Sequence, residues 1–233
     1  MKKNTMTLMA AGTCAMIAAS ASNAAVVAGW SFTGLTAYGA SPLTATSSDA
    51  NVTVGGLTRG SGMGTTGTAA GGAWGGSMAA ARVDAAAAIT ASQFATFTVT
   101  AAAGYAVSFS QIDAYNVRRS GTGPANGQWQ YSVGSSAFSN IGSALTFTST
   151  SSGGTTMSAV DLSGFSALQS VAAGSAVTFR MVMYANSGTG TFYFQNGSGS
   201  GLSVSGTTAA IPAPGAVALI GLAGLVASRR RRN

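Results

Sequence analysis

The chain has no histidine and no glutamate, and only one cysteine and four aspartates in 233 residues. Each shortage removes a chemistry. Without an imidazole there is no Ser-His-Asp or Cys-His constellation and no His-based zinc or iron site. The cysteine, Cys14, lies in an apolar N-terminal stretch, so the rest of the chain has no thiol for a disulfide or a thiolate metal site. Ala11-Gly12-Thr13 before it lacks the Leu-type position of a lipobox, and lipid attachment there is not expected. The carboxylates Asp49, Asp84, Asp113 and Asp161 are far apart along the chain, whereas glycoside hydrolysis usually needs two flanking one bond. Asp49 has Ser47, Ser48 and Asn51 nearby as oxygen donors, but one carboxylate makes a poor calcium site. The expectation is a protein that is not an enzyme, with no metal and no cofactor.

Charge is scarce, at 6% of residues, although the formal net charge is +7. That excess sits at the ends, in Lys2 and Lys3 and in Arg229, Arg230, Arg231 and Arg232. Between them, Arg59, Arg82, Arg118, Arg119 and Arg180 face the four aspartates, a net charge of +1. Nucleic-acid binding needs a basic patch that neutralises several phosphates, and the interior has none. Gly, Ala, Ser and Thr dominate, but three Trp, six Tyr and ten Phe supply apolar surface to bury. A folded domain with small-residue loops is expected.

The two ends read as addresses. MKKNTMTLMAAGTCAMIAASASNA has a positive start, a short apolar run from Leu8 to Ala19, and small residues at Ser22-Asn23-Ala24. This is the pattern of a secretory signal peptide cut after Ala24; the alternative is a buried amphipathic helix. The far end reads IPAPGAVALIGLAGLVASRRRRN. Ile211 to Ala227 is 17 residues, at the lower limit for spanning a bilayer. Each arginine costs roughly 3 kcal/mol at the bilayer centre, so four in a row stay at the cytoplasmic surface as a stop-transfer signal. The predicted topology puts the domain outside and the arginines inside. The alternative is a solvated basic tail.

Pro212-Ala213-Pro214, then an apolar run from Gly215 to Ser228, then Arg229 to Arg232, resembles the PEP-CTERM sorting signal. That family has Glu where this chain has Ala213. The resemblance implies recognition by an exosortase, a membrane-embedded cysteine protease-transpeptidase that removes the tail and passes the protein to the cell surface or extracellular matrix. Signal peptidase and exosortase are then the processing partners.

Between the ends, period two dominates. Tyr105, Val107 and Phe109 share a face, as do Trp129, Tyr131 and Val133, and Val177, Phe179, Met181 and Met183. Such alternation, punctuated by Gly, Ser and Asn, predicts strands. The fold class expected is all-β, an antiparallel β-sandwich or jelly-roll-like domain over 25–206, with a linker at 207–211 and the sorting signal at 212–233. Residues 78–89 allow a short helix at best. Gly60 to Ser77 predicts a long loop anchored by Trp74. NVRRSGTGP, the strand with Trp129 and Tyr131, Asp161-Leu162-Ser163, Val177-Thr178-Phe179-Arg180 and a closing strand ending at Gly206 together resemble a β-sandwich domain common in PEP-CTERM proteins. The Asp-rich turn that domain usually carries is here Gln195-Asn196-Gly197-Ser198.

The best local candidate for binding is Arg118-Arg119-Ser120, ahead of a Gly-rich turn. Guanidinium forks suit the carboxylate or sulfate of an acidic sugar. The bland alternative is that one arginine pairs with Asp113 or Asp161 and pins the loop. Trp30, Trp74, Trp129, Tyr38, Tyr115 and Tyr184 offer rings for sugar stacking or, more simply, core. Two functions remain: a surface or matrix protein of structural or interaction type, and a carbohydrate-binding module, with extracellular polysaccharide as its partner.

Overall fold

Strand formation in so small-residued a chain depends on the β-branched and aromatic residues that alternate in short runs. The computed structural model describes residues 24–150, 152–196 and 201–212. In chain order the strands are β1 (Ala25–Trp30), β2 (Ser47–Ser48), β3 (Val52–Arg59), β4 (Met63–Gly64), β5 (Ala73–Met78), β6 (Phe94–Ala101), β7 (Tyr105–Ile112) and β8 (Tyr115–Arg119). There follow β9 (Asn126–Val133), β10 (Ser139–Thr146), β11 (Thr155–Met157), β12 (Val160–Asp161), β13 (Val171–Ala172), β14 (Val177–Tyr184), β15 (Gly190–Gln195) and β16 (Leu202–Ala210). The one α-helix among the described residues, α1 (Ala85–Thr90), lies between β5 and β6. Asp84 caps it, its Oδ1 accepting from the Ala87 N–H at 2.8 Å. A helix does form in the alanine-rich stretch, and it is short, as its flanks require.

The protein is all-β with antiparallel sheets. The strand orders are β12-β7-β16-β1-β2, with β13 also on β7; β10-β9-β14-β6-β3; and β11-β8-β15-β5-β4. The first and last meet end to end. β7 continues into β8, Val160 lying opposite Ile112 and Met157 opposite Tyr115. Their neighbours repeat the continuity, with Val204 opposite Ile112 and Gln195 opposite Asn116. Asp113 stitches this joint. Its N–H donates to the Ser203 carbonyl at 3.0 Å, and its carboxylate accepts from Ser203 Oγ at 2.7 Å and Ser205 Oγ at 2.8 Å.

One core lies between the joined sheets and the β10-β9-β14-β6-β3 sheet, a sandwich-like arrangement. β6 alternates: Ala95, Phe97, Val99 and Ala101 are buried, and Thr96, Thr98 and Thr100 face out. Phe97 stacks on Phe179 with ring centroids 5.2 Å apart, and Trp129 stacks on Phe194 at 6.2 Å. Phe97, Phe179 and Trp129 come from one sheet and Phe194 from the other, so the Trp129–Phe194 stack ties the layers. Each such side chain contributes roughly 1.5–3 kcal/mol by leaving water.

The outer faces differ. That of the β14-β6-β9 region is an array of partly exposed Thr96, Thr98, Thr100, Thr178 and Arg180, with Gln130 buried among them. The Arg180 guanidinium lies 3.7 Å from the centre of the Phe138 ring and donates through Nε to Gln130 Oε1 at 2.7 Å. Loops cover the outer face of β5 and β15, where Tyr38 packs against Ala70, Ala73 and Tyr193. Arg59 fastens this cover, donating to the carbonyls of Tyr38, Gly39 and Gly75 and lying over the Trp74 ring. Burial lowers the pKa of Arg59, and the neighbouring Tyr193 raises it.

Two expectations change. Gly60 to Ser77 is not a loop throughout: β4 falls inside it, and β5 is buried from Ala73 to Met78 between β15 and β4. A Cβ on Gly75 would run into the Phe192 carbonyl, so the glycines that suggest a loop are what let this strand sit so close. Nor is 207–211 a linker. β16 keeps its pairing with β7 to Ala210, opposite Tyr105, and the Ile211 N–H donates to the Gly104 carbonyl at 2.7 Å. Thr207 and Thr208 continue the ladder because β7 offers partners that far.

Ala25 lies opposite Gly206 on β16. Both chain ends therefore leave from the same end of the β7-β16-β1 sheet. The expected signal-peptide residues before Ala24 and the expected apolar helix and arginine cluster beyond Pro212 lie outside the described residues. Among the described residues no helix is long and apolar enough to cross a membrane.

Candidate functional site

Strand pairing splits the Arg118-Arg119-Ser120 triplet. Arg118 sits opposite Tyr193 on β15, and Arg119 opposite Phe192. Arg119 is used by the fold. It donates to the carbonyls of Phe147 at 2.7 Å, Gly123 at 3.1 Å, and Ser120 and Gly121 at 3.2 Å each. Burial lowers its pKa. The loop is thus pinned by an arginine, but through carbonyls rather than through Asp113 or Asp161. Asp113 takes the serine hydroxyls described above, and Asp161 accepts from the Ser163 N–H at 2.9 Å, which lowers its pKa.

Arg118 instead lines a concave site of about 340 Å³, with Thr68, Ser120, Gly121, Ser149, Thr150, Thr191 and Tyr193. The lining has one cation, five aliphatic hydroxyls, a phenol and no carboxylate. Ser120 closes one end, its N–H donating to the Thr191 carbonyl at 3.1 Å and its Oγ accepting from the Thr191 N–H at 2.9 Å. Tyr193 forms the floor, only 2% exposed, its hydroxyl donating to the Thr68 carbonyl at 2.6 Å. Burial and the neighbouring Tyr38 push its pKa up to about 12, against the pull of Arg118 and Arg59. The Thr150 N–H donates to the Arg119 carbonyl at 3.1 Å. Its Oγ1 is buried and has no hydrogen-bond partner among the described residues.

The rings do not make a platform. Trp30, Trp74 and Trp129 are fully buried, and their indole N–H groups donate to the Leu43 carbonyl, the Ala40 carbonyl and the Tyr115 hydroxyl. Tyr115 is 2% exposed, and its phenol is held well above its ordinary pKa by burial, against the Trp129 hydrogen bond. Tyr38 and Tyr184 are half-buried. The large apolar side chains that stand exposed among the described residues are Val26, Val83 and Ile211.

No family model matches this chain, and no curated protein or solved structure does.

Among the described residues no three His, Cys, Asp or Glu side chains gather as a metal group. Asp49 is tied into the fold, its Oδ1 accepting from the Asn51 N–H at 2.7 Å and from Thr208 Oγ1 at 3.2 Å. Ala24 is exposed and immediately precedes β1. Of the sorting residues, Pro212 is described; Ala213, Pro214, Gly215 and Arg229 to Arg232 lie outside the described residues.

Sequence reasoning found Arg118 and Ser120 and missed Thr68, Ser149, Thr150, Thr191 and Tyr193. One signal was present: in Thr191-Phe192-Tyr193-Phe194, alternation sets the tyrosine on the face opposite two phenylalanines. The others meet only through the pairing of β8 with β15 and the placing of two loops, which no local pattern encodes.

Proposed function

We propose that this is an exported surface or matrix protein of structural or interaction type, built on a β-sandwich domain of jelly-roll-like kind and sorted at its C-terminus by an exosortase. The observation that carries the reading is the Pro212-Ala213-Pro214, apolar run and four-arginine pattern, set directly behind the last strand of the domain. The exit of both ends from one end of a sheet supports it, because one membrane-proximal side then serves signal peptidase and exosortase alike. The low charge and the hydroxyl-rich outer face suit a surface in contact with water and polysaccharide.

The test is intact mass measurement on protein recovered from membrane and surface fractions of its host. Loss of residues 1–24 together with the tail beyond Pro212-Ala213-Pro214 is the expected result. A full arginine tail retained in the membrane fraction, with none at the surface, overturns exosortase processing and leaves a plain anchor.

The second reading is a carbohydrate-binding module. Burial of the tryptophans argues against its ring-stacking form; the cleft beside Arg118 keeps its polar form in play.

A further inference from the structure

We infer that the cleft between β8, β15 and the loops at Thr68 and Ser149–Thr150 binds a uronate, a sugar whose carboxylate meets Arg118 and whose hydroxyls meet the surrounding side chains. The inference deepens the surface reading and rests on it for the ligand's whereabouts.

Three observations converge on this chemistry. The first is charge. Arg118 is the one cation among the described lining residues, none of which is a carboxylate, and a guanidinium has five donors in a planar fork that matches a carboxylate. The second is the hydroxyl set. Thr68, Ser120, Ser149, Thr150 and Thr191 each carry a group that both donates and accepts, as sugar hydroxyls do. Thr150 Oγ1 has no partner among the described residues, and a buried unmatched hydroxyl costs about 1–3 kcal/mol until something bonds to it. A cleft of about 340 Å³, at the small end of the roughly 300–1,000 Å³ typical of ligand sites, has room for one or two sugar rings.

The third is placement. Tyr105, opposite Ala210, marks the end from which both termini leave, and Arg118 lies about thirteen residues further along β7 and β8. At ~3.3 Å per residue that is on the order of 40 Å of strand. The cleft therefore stands at the end of the domain remote from the chain ends, away from any membrane that holds the tail.

The inference is tested by calorimetric titration of the full chain, purified in detergent, with tetragalacturonate, neutral cellotetraose and sodium sulfate. Saturable binding of tetragalacturonate is expected, at least tenfold tighter than cellotetraose and than sulfate. Arg118→Gln should weaken it at least tenfold and Thr150→Val at least threefold, while Arg180→Gln, in the other sheet, leaves it unchanged. Thr150→Val keeps the side-chain shape, so it carries the test if Arg118→Gln fails to fold. Equal binding of cellotetraose, equal binding of sulfate, loss in Arg180→Gln as large as in Arg118→Gln, or no saturable binding each overturn the proposal. Because purified protein is used, the outcome is independent of tail processing, which the mass measurement reads separately.

Discussion

The outer face of the β14-β6 region and the outer face of β15-β5 are both built from small and hydroxyl-bearing residues, yet one meets solvent and the other lies under loops. On the open face Gly55 stands beside Thr98, and a Cβ there would overlap only the Thr98 side-chain oxygen, the Thr98 Cβ and backbone nitrogen lying at ordinary contact distance. On the covered face a Cβ on Gly75 would meet the backbone of β15. The hydroxyl of a threonine rotates away; a carbonyl in a ladder does not. The same residue type is thus a matter of indifference on one sheet and a requirement on the other. Trp74, packed in the core against Phe194, also anchors the cover with its N–H on the Ala40 carbonyl at 2.7 Å and Arg59 over its ring, while the Tyr38 and Tyr193 hydroxyls hold the carbonyls of Gly67 and Thr68.

The largest break in this comparison comes from removing the anchor. Trp74→Ala should cost about 3–5 kcal/mol, as large-to-small changes at fully buried aromatics do, measured as a drop in the urea unfolding midpoint. A loss below about 1 kcal/mol would mean that neither its stacking on Phe194 nor its hold on the Ala40 carbonyl matters to the covered side.

Next come the two glycines, tested as a pair. Gly75→Ala should cost about 1–3 kcal/mol through backbone overlap. Gly55→Ala should fall within about 0.5 kcal/mol of the parent. Equal losses would show that the cover is not what separates the faces.

The smallest effect concerns pH. The Tyr193 phenol has its pKa raised to about 12 in the folded protein, above the ~10 of an unfolded chain. The fold therefore favours the neutral form. Its contribution is complete below about pH 10 and is lost as the pH rises toward about 12, because the unfolded state gives up the proton first. Tyr115 shifts in the same direction. Tyr193→Phe should thus make the alkaline fall in unfolding midpoint shallower without abolishing it. An unchanged slope would place the buried proton elsewhere.

How much was legible follows from where the information lies. The alternation of Val177, Phe179, Met181 and Met183 is local, and it announced β14 with the correct face. β5 was illegible for the same reason. In Ala73-Trp74-Gly75-Gly76-Ser77-Met78 the glycines carry no alternation, and the strand exists because β15 and β4 lie on either side of it. The last strand outran its expected end at Gly206 because its partner β7 is longer than the hydrophobic pattern within β16. At the candidate site, the two adjacent arginines were visible but their division of labour was not. It depends on which of them β15 faces, and that pairing joins residues some seventy positions apart.

The pairing of β16 has a mechanical consequence. From Leu202 to Gly206 it is hydrogen-bonded to β1, and from Val204 to Ala210 to β7. A pull applied at Pro212 along the strand axis would load both ladders in shear, many bonds sharing the force at once, instead of unzipping them one by one. With Ile211 still bonded to Gly104, there is almost no slack between the handle and the load. A force applied through Pro212 would therefore meet the sheet in the direction in which it best resists being drawn apart.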